Sequence, residues 1–177
     1  LTSWHMLVGR AKIKPGQTVL IMGGSSGVGI FGIQIAKLYG CTVIATASSN
    51  KLEKLKELGA DYAVDHRKED WHKEVRGITK EIAKRDGVSP GVDIIFEHIG
   101  GSHFNKELTL LKYGATLVTT GATTGYDVPT DLRHIFFKGI NILGSTQGTR
   151  AELEEGFHWM GQGKIKAIID SVFTFEN

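Results

Sequence analysis

Cysteine is almost absent. Cys41 stands alone, so no internal disulfide can form and no Cys-rich zinc cluster can be built. It lies in Tyr39-Gly40-Cys41-Thr42-Val43, an apolar strand entrance where a small core residue is expected rather than a nucleophile. Long apolar runs are missing too: nothing approaches the ~20 residues of a membrane helix, and no basic segment leads into an apolar one with a small-residue cleavage site. Neither a membrane span nor export is expected, and the expected location is cytoplasmic. Charge of one sign is also scarce. Lys and Arg number 21 against 19 Asp and Glu, a net +2, which gives no large single-sign field, so the electrostatic case for nucleic acid or a membrane surface starts weak and neither is expected as a partner. Seven histidines are scattered without a Cys/His/Glu constellation at ligand spacing, so no metal site is expected; His5 and His134 read as surface or helix-packing residues.

What is present is alternation. The 177 residues, 41% of them hydrophobic, suffice for one α/β core and little more, so residues 1–177 are expected to form one domain. Leu1 to Lys12 reads as an amphipathic helix in progress. Thr18 to Met22 is a short apolar run of the kind buried on both faces, and Gly27 to Tyr39 carries Val28, Phe31, Ile35 and Leu38 at helical spacing. Strand Thr42 to Ala47, helix Lys51 to Leu58 ended by Gly59, and strand Tyr62 to Asp65 repeat the pattern. A charged helix follows from about Glu69 to Lys84, then a loop from Gly87 to Gly91. Strand Val92 to Phe96, helix Phe104 to Leu111 and strand Thr116 to Thr120 come next. Leu132 to Phe137 supplies one or two helical turns, Ile140 to Leu143 a strand and Ala151 to Met160 a closing helix. Ser171 to Phe175 is strand-like, and both ends of the chain read as cut.

Strands and helices alternating over short connections favour parallel pairing through right-handed crossovers. Six strands then make a doubly wound Rossmann sheet of order 3-2-1-4-5-6, whose ligand lies beyond the carboxyl ends of the strands where the order reverses. Attention therefore falls on Gly23 to Gly29, Ser48 to Lys51, His98 to Gly101 and Gly121 to Gly125.

The first of these segments lies between a strand and a helix, where a backbone must turn sharply and approach a pyrophosphate at the helix N-terminus. Gly24, Ser26 and Gly29 occupy the three positions of GxGxxG, with serine in the middle, and Ser25, Gly27 and Val28 complete the candidate cradle. Alone, such a loop can be a mere tight turn. No Gly-Lys-Ser/Thr follows, so it is not a Walker A loop. Gly23, Gly27 and Gly29 also fit the GxxxGxG loop of short-chain dehydrogenases. Their Tyr-x-x-x-Lys pair is absent, because Val43, His66, Leu117 and Thr130 stand four residues after the tyrosines.

At the end of the second strand an NAD site would present Asp or Glu to the ribose hydroxyls. Here stand Ala47-Ser48-Ser49-Asn50-Lys51: small groups that leave room for a 2′-phosphate and a lysine to pair with it, so NADPH is expected over NADH. Asn50 is expected as N-cap of the following helix. His66 and Arg67 add a second possible cation on the adenine side.

With these residues in hand, the chain resembles the coenzyme domain of medium-chain dehydrogenases, in particular the zinc-type alcohol dehydrogenase and quinone oxidoreductase branches. The resemblance is carried by Lys14-Pro-Gly-Gln-Thr-Val-Leu-Ile, Gly27-Val-Gly, Leu55-Lys-Glu-Leu-Gly-Ala-Asp-Tyr, Gly91-Val-Asp-Ile-Ile-Phe-Glu-His-Ile-Gly-Gly and Ile142-Leu-Gly-Ser. Gly121 to Arg133 is similar to the zinc-type branch more than to the quinone reductases. The resemblance implies hydride transfer between nicotinamide C4 and a carbonyl, alcohol, quinone or activated alkene. It implies that His98, Ile99 and Gly100, with Gly121, Ala122 and Thr123, line the nicotinamide and its ribose. It also implies a separate substrate domain, apparently absent from this chain, which would carry any catalytic zinc; alone, the chain is expected to be inactive. The edge strand Ile140 to Leu143 is expected to pair across a two-fold axis in a homodimer, unless the closing helix covers it. The alternative function is that of a non-catalytic dinucleotide sensor or scaffold.

Overall fold

In the computed structural model, which describes residues 1–175, six parallel strands form one sheet of order β3-β2-β1-β4-β5-β6. The strands are β1 (Thr18–Ile21), β2 (Thr42–Ala47), β3 (Tyr62–Asp65), β4 (Val92–Glu97), β5 (Leu111–Thr119) and β6 (Asn141–Gly144). The helices are α1 (residues 2–10, α over Thr2–Trp4 and then π over His5–Arg10), α2 (Gly27–Leu38), α3 (Leu52–Glu57), α4 (Trp71–Asp86), α5 (Phe104–Leu108), α6 (Leu132–Lys138) and α7 (Arg150–Gly161). The expected order is therefore the observed one. The central strand β1 is buried at every position, which is why Thr18–Ile21 reads as a continuous apolar run rather than an alternating one.

Two apolar layers sandwich the sheet. One gathers Trp4 and Leu7 of α1, Ile33 and Ile35 of α2, Leu55 of α3 and Ile165 against Val19, Val43 and Phe96. The other gathers Trp71, Val75 and Ile82 of α4 with Phe104 and Leu108 of α5 against Leu20, Ile44 and Ile95. This division follows from right-handed crossovers. Connections running outward from β1 to β3 lie on one face, and those running back through β4 to β6 lie on the other. Alignment of the parallel strands, with Ile21 beside Ala45 and Phe96 and Val118 beside Leu143, brings all six carboxyl ends to one edge.

Several local expectations differ from the structure. Helix α5 ends at Leu108 and β5 begins at Leu111, where a helix to Leu111 and a strand from Thr116 were expected. The run Leu108-Leu110-Leu111 is wholly buried, and its backbone turns out of the helix because Val92 N–H donates to Leu110 O (2.9 Å) while the Lys138 ammonium donates to Thr109 O (3.0 Å) and Leu111 O (2.9 Å). Asn50 is not an N-cap. A 3₁₀ turn over Ser49–Lys51 precedes α3, and the Asn50 carbonyl accepts from Ser48 Oγ (2.8 Å) instead. Ser171 to Phe175 joins no strand of the described sheet. Cys41 is the small core residue expected: burial pushes its thiol up to about 11, and Sγ donates to Lys14 O at 3.3 Å. His5 packs between helices, with Nδ1 3.0 Å from Glu152.

Candidate functional site

The turn from β1 into α2 is built from close backbone contacts. Gly23 has φ +60°, a left-handed conformation natural to glycine, and its N–H donates to Thr46 Oγ1 (3.1 Å). Gly24 N–H donates to Thr46 O (2.7 Å), tying the loop to β2. A Cβ on Gly29 would collide with the carbonyl oxygen of Gly23 and lie 2.7 Å from Gly24 Cα, so the first turn of α2 presses directly on the loop. Ser26, in the middle position, is the helix N-cap: its Oγ accepts from Gly29 N–H (3.0 Å) and its carbonyl from Ile30 N–H (3.0 Å). The N–H groups of Gly27 and Val28 are left without an acceptor among the described residues, as the first turn of a helix leaves them, and Gly27 has open space where a side chain would be.

Ser25 and Gly27 share a cavity of about 530 Å³ with Lys51 and Lys54, so the loop and the end of β2 face one space. Lys51 is exposed and makes no ion pair among the described residues. Across the same edge Arg67 Nη2 donates to Ser49 Oγ (2.9 Å), which holds the guanidinium over the β2–α3 turn. Asp65 does not face the turn as a free carboxylate. It accepts from Arg67 N–H (2.9 Å), and that bond, with the Ser49 hydroxyl and the Arg67 charge, holds it below the usual carboxylate range. His66 Nδ1 lies 3.2 Å from Thr46 Oγ1, and its ring is edge-on to His103 at 5.9 Å. Burial first, and then His103, lower its pKa, so the ring is neutral at pH 7 and Arg67 is the cation of this segment.

His98 leaves β4 and folds back over the glycine loop, its Nε2 3.2 Å from Ser26 Oγ and its ring edge-on to Phe96. The loops after β4 and β5 are zipped together: Thr124 N–H donates to Ile99 O (2.8 Å), Gly101 N–H to Gly125 O (2.9 Å) and Thr123 Oγ1 to His98 O (2.9 Å). Gly100 has φ +71°, and a Cβ there would strike Gly125 O and Ala122. Glu97, buried at the end of β4, organises the start of this wall, accepting from Ile99 and Gly100 N–H (2.5 Å each) and from Thr119 Oγ1 (2.7 Å). Gly100, Gly121, Ala122 and Thr123 thus stand together beyond β4 and β5, Ser25 to Gly29 with Ser48 to Lys51 beyond β1 and β2, and His98 bridges the two groups at Ser26.

Sequence reasoning missed part of the site. Gly23, rather than Gly24, carries the left-handed turn, and the extra glycine in the row was the available signal. A cavity of about 530 Å³ lies between the ends of β5 and β6, where Gly121 meets Ser145 and Thr146 beneath Arg10. Ser145 Oγ is buried there with no hydrogen-bond partner among the described residues. A six-stranded order places the carboxyl end of β6 on the same edge, which was signal enough. No group of three or more His, Cys, Asp or Glu that could hold a metal ion stands among the described residues. No described helix is long and apolar enough to cross a membrane.

Comparison with known proteins follows the same lines. A family model described as zinc-binding dehydrogenase matches residues 27–162. The zinc-type alcohol dehydrogenase-like protein YogA of Leptosphaeria maculans is 31% identical over 173 residues, covering 96% of this chain and 46% of that protein. A solved NAD-dependent alcohol dehydrogenase superposes with a TM-score of 0.86 at 37% identity, covering 95% of this chain and 47% of that one. The 2-octenoyl-CoA carboxylase reductase CinF, solved with NADP and 2-octenoyl-CoA, gives a TM-score of 0.79 at 29% identity over 93% of this chain and 40% of that one. The chain spans about half the length of the curated relatives it matches.

Proposed function

The chain belongs to the zinc-binding dehydrogenase family, and from that premise we propose that it holds a nicotinamide dinucleotide along the carboxyl edge of its sheet, with NADPH preferred. The observation that carries this reading is the acceptor-free N–H of Gly27, which opens with Lys51 onto one cavity, with the acceptor-free N–H of Val28 next to it in the chain. A pyrophosphate meets both donors and the positive end of the α2 dipole. Gly24 and Gly29 let the loop pack closely behind it, because a Cβ on either would meet the core or the Gly23 carbonyl, while Ser25 faces the same cavity and Ser26 caps the helix.

The β2–α3 turn supports NADPH as the preferred cofactor. The NAD-dependent relative and the NADP-bound relative pull in opposite directions, but this chain offers Ser48, Asn50 and Lys51 where a carboxylate would select the ribose hydroxyls. Lys51 and Arg67 then meet the 2′-phosphate, with His66 neutral beneath the adenine. At the other end, Gly121, Ala122 and Thr123, with Ser145, line the nicotinamide, and His98 and Gly100 hold the loop behind them. The bound cofactor supplies a hydride at C4 for a carbonyl, alcohol, quinone or activated alkene. We place the substrate, and any zinc, on a separate domain of the whole enzyme. The β6 edge, with Ile142 39% exposed and Phe136 and Phe137 of α6 exposed beside it, is proposed to pair with a second copy.

Calorimetric titration with NADPH and NADH side by side, on this chain and on Lys51→Ala, tests the reading. NADPH should bind more tightly, and the variant should lose about fivefold to tenfold of NADPH affinity, roughly 1–1.4 kcal/mol, while NADH is little changed. Equal or tighter binding of NADH would overturn the 2′-phosphate assignment, and binding of neither would overturn the site.

A further inference from the structure

A second cavity, of about 460 Å³, lies at the opposite end of the sheet, where β4 and β5 begin and α4 passes over them. Its distance from the dinucleotide edge is the length of β4, about 16 Å at ~3.3 Å per residue. Arg76, Lys80, Lys112 and Lys138 line it, and among the described residues no carboxylate does. A cleft lined by one sign of charge over apolar walls focuses its field on an incoming counter-ion.

The cations are not equivalent. Lys112 is paired with Asp93 at 2.8 Å, so its charge is largely offset. Lys138 is committed to the carbonyls that end α5, and its ammonium pKa is lowered by burial and then by the Arg76 charge. Arg76 Nη2 donates to Thr109 Oγ1 (3.0 Å), which fixes the guanidinium at the cavity. Lys80, one helical turn further along α4, is exposed and makes no ion pair among the described residues. Three positive charges therefore converge without a carboxylate partner. The remaining wall is apolar: Leu110 is buried, and Pro90 and the Tyr113 ring, 81% exposed, flank it.

We propose that this cavity is a binding site for a small organic phosphate. Arg76 and Lys80 hold the phosphate, with Lys138 behind them, and the apolar body lies against Leu110, Pro90 and Tyr113. A guanidinium fork plus two ammonium groups matches a dianion with several acceptor oxygens better than a single carboxylate.

The test is amide-detected NMR of the chain titrated with phenyl phosphate and, separately, with inorganic phosphate. Phenyl phosphate should give saturable shifts at Thr79, Lys80 and residues 109–113, weakening with added salt. Its affinity should fall at least tenfold in the double variant Arg76→Gln, Lys80→Gln and stay unchanged in Lys51→Ala. Inorganic phosphate should shift the same amides with weaker affinity. The proposal fails if neither probe gives saturable shifts there, if shifts are confined to residues 23–29, or if the double variant binds as the parent does. Equal affinity for the two probes would overturn the apolar half of the assignment. Both substituted residues are exposed on α4, so the variant keeps its fold, which its own spectrum verifies.

Discussion

Gly27 and Gly29 stand two residues apart at the start of α2, and alanine should act oppositely at the two positions. At Gly29 the new Cβ would lie 2.7 Å from Gly24 Cα and against the Gly23 carbonyl, both backbone atoms in a loop pinned to Thr46. Relief requires shifting the loop or the helix. Overpacking costs of this kind run to about 1–3 kcal/mol, and the upper end applies where no side chain can rotate away. For a domain of this size, about 3 kcal/mol lowers Tm by roughly 6–12 °C. At Gly27 nothing lies within 4 Å of the added Cβ, and the residue is already helical. Gly27→Ala should leave stability unchanged or raise it by up to about 1 kcal/mol, chiefly by restricting the unfolded chain. Yet that methyl enters the cavity shared with Lys51, where the pyrophosphate is proposed to lie. NADPH affinity should therefore drop at least tenfold in Gly27→Ala, a protein at least as stable as its parent. Calorimetry for Tm and titration for affinity check both arms. A stable Gly29→Ala would contradict the tight packing of α2 on the loop, and a Gly27→Ala that binds NADPH as the parent does would contradict a pyrophosphate at this turn.

Two further outcomes follow from buried and exposed groups. Glu107 is fully buried, its carboxyl oxygens have no hydrogen-bond partner among the described residues, and burial followed by the neighbouring Glu97 charge raises its pKa well above the ordinary 4.5. The folded state then keeps this proton where the unfolded state has lost it. The stability it contributes is present below pH 4.5 and is lost as pH rises toward the raised value, with a slope of at most about 1.4 kcal/mol per pH unit. Glu107→Gln should flatten that decline and melt higher than the parent at pH 8; denaturant titrations at pH 5, 7 and 8 with unchanged slopes would contradict this. At the β6 edge, Ile142→Lys should convert a dimer to a monomer in sedimentation equilibrium without lowering Tm, because the side chain is partly exposed in the single chain. A parent that is itself monomeric, or a variant that stays dimeric, would contradict the pairing.

The architecture was legible because its signals are redundant. Buried runs such as Val19-Leu20-Ile21 and Ile94-Ile95-Phe96 are short and continuous, and the connections between them leave room for little except crossover helices. Boundaries were less legible where apolarity is uniform. Leu108 to Leu111 fits a helix or a strand by pattern alone, and the Lys138 ammonium, 30 residues away from Leu108, helps decide it. Asn50 has a capping side chain, but the 3₁₀ turn engages it with Ser48 first. His66 looked cationic in a row of charged residues, yet burial against His103 keeps it neutral. Ser145 escaped notice because the last strand drew attention as an edge, although its carboxyl end borders the same cavity as Gly121.

A crystal structure of the chain grown with NADPH would show whether the β1–α2 turn receives a dinucleotide pyrophosphate. Pyrophosphate density is expected within hydrogen-bond distance of Gly27 and Val28 N–H, with the 2′-phosphate between Lys51 and Arg67. Ordered cofactor bound elsewhere, or a turn left empty at saturating NADPH, would contradict it.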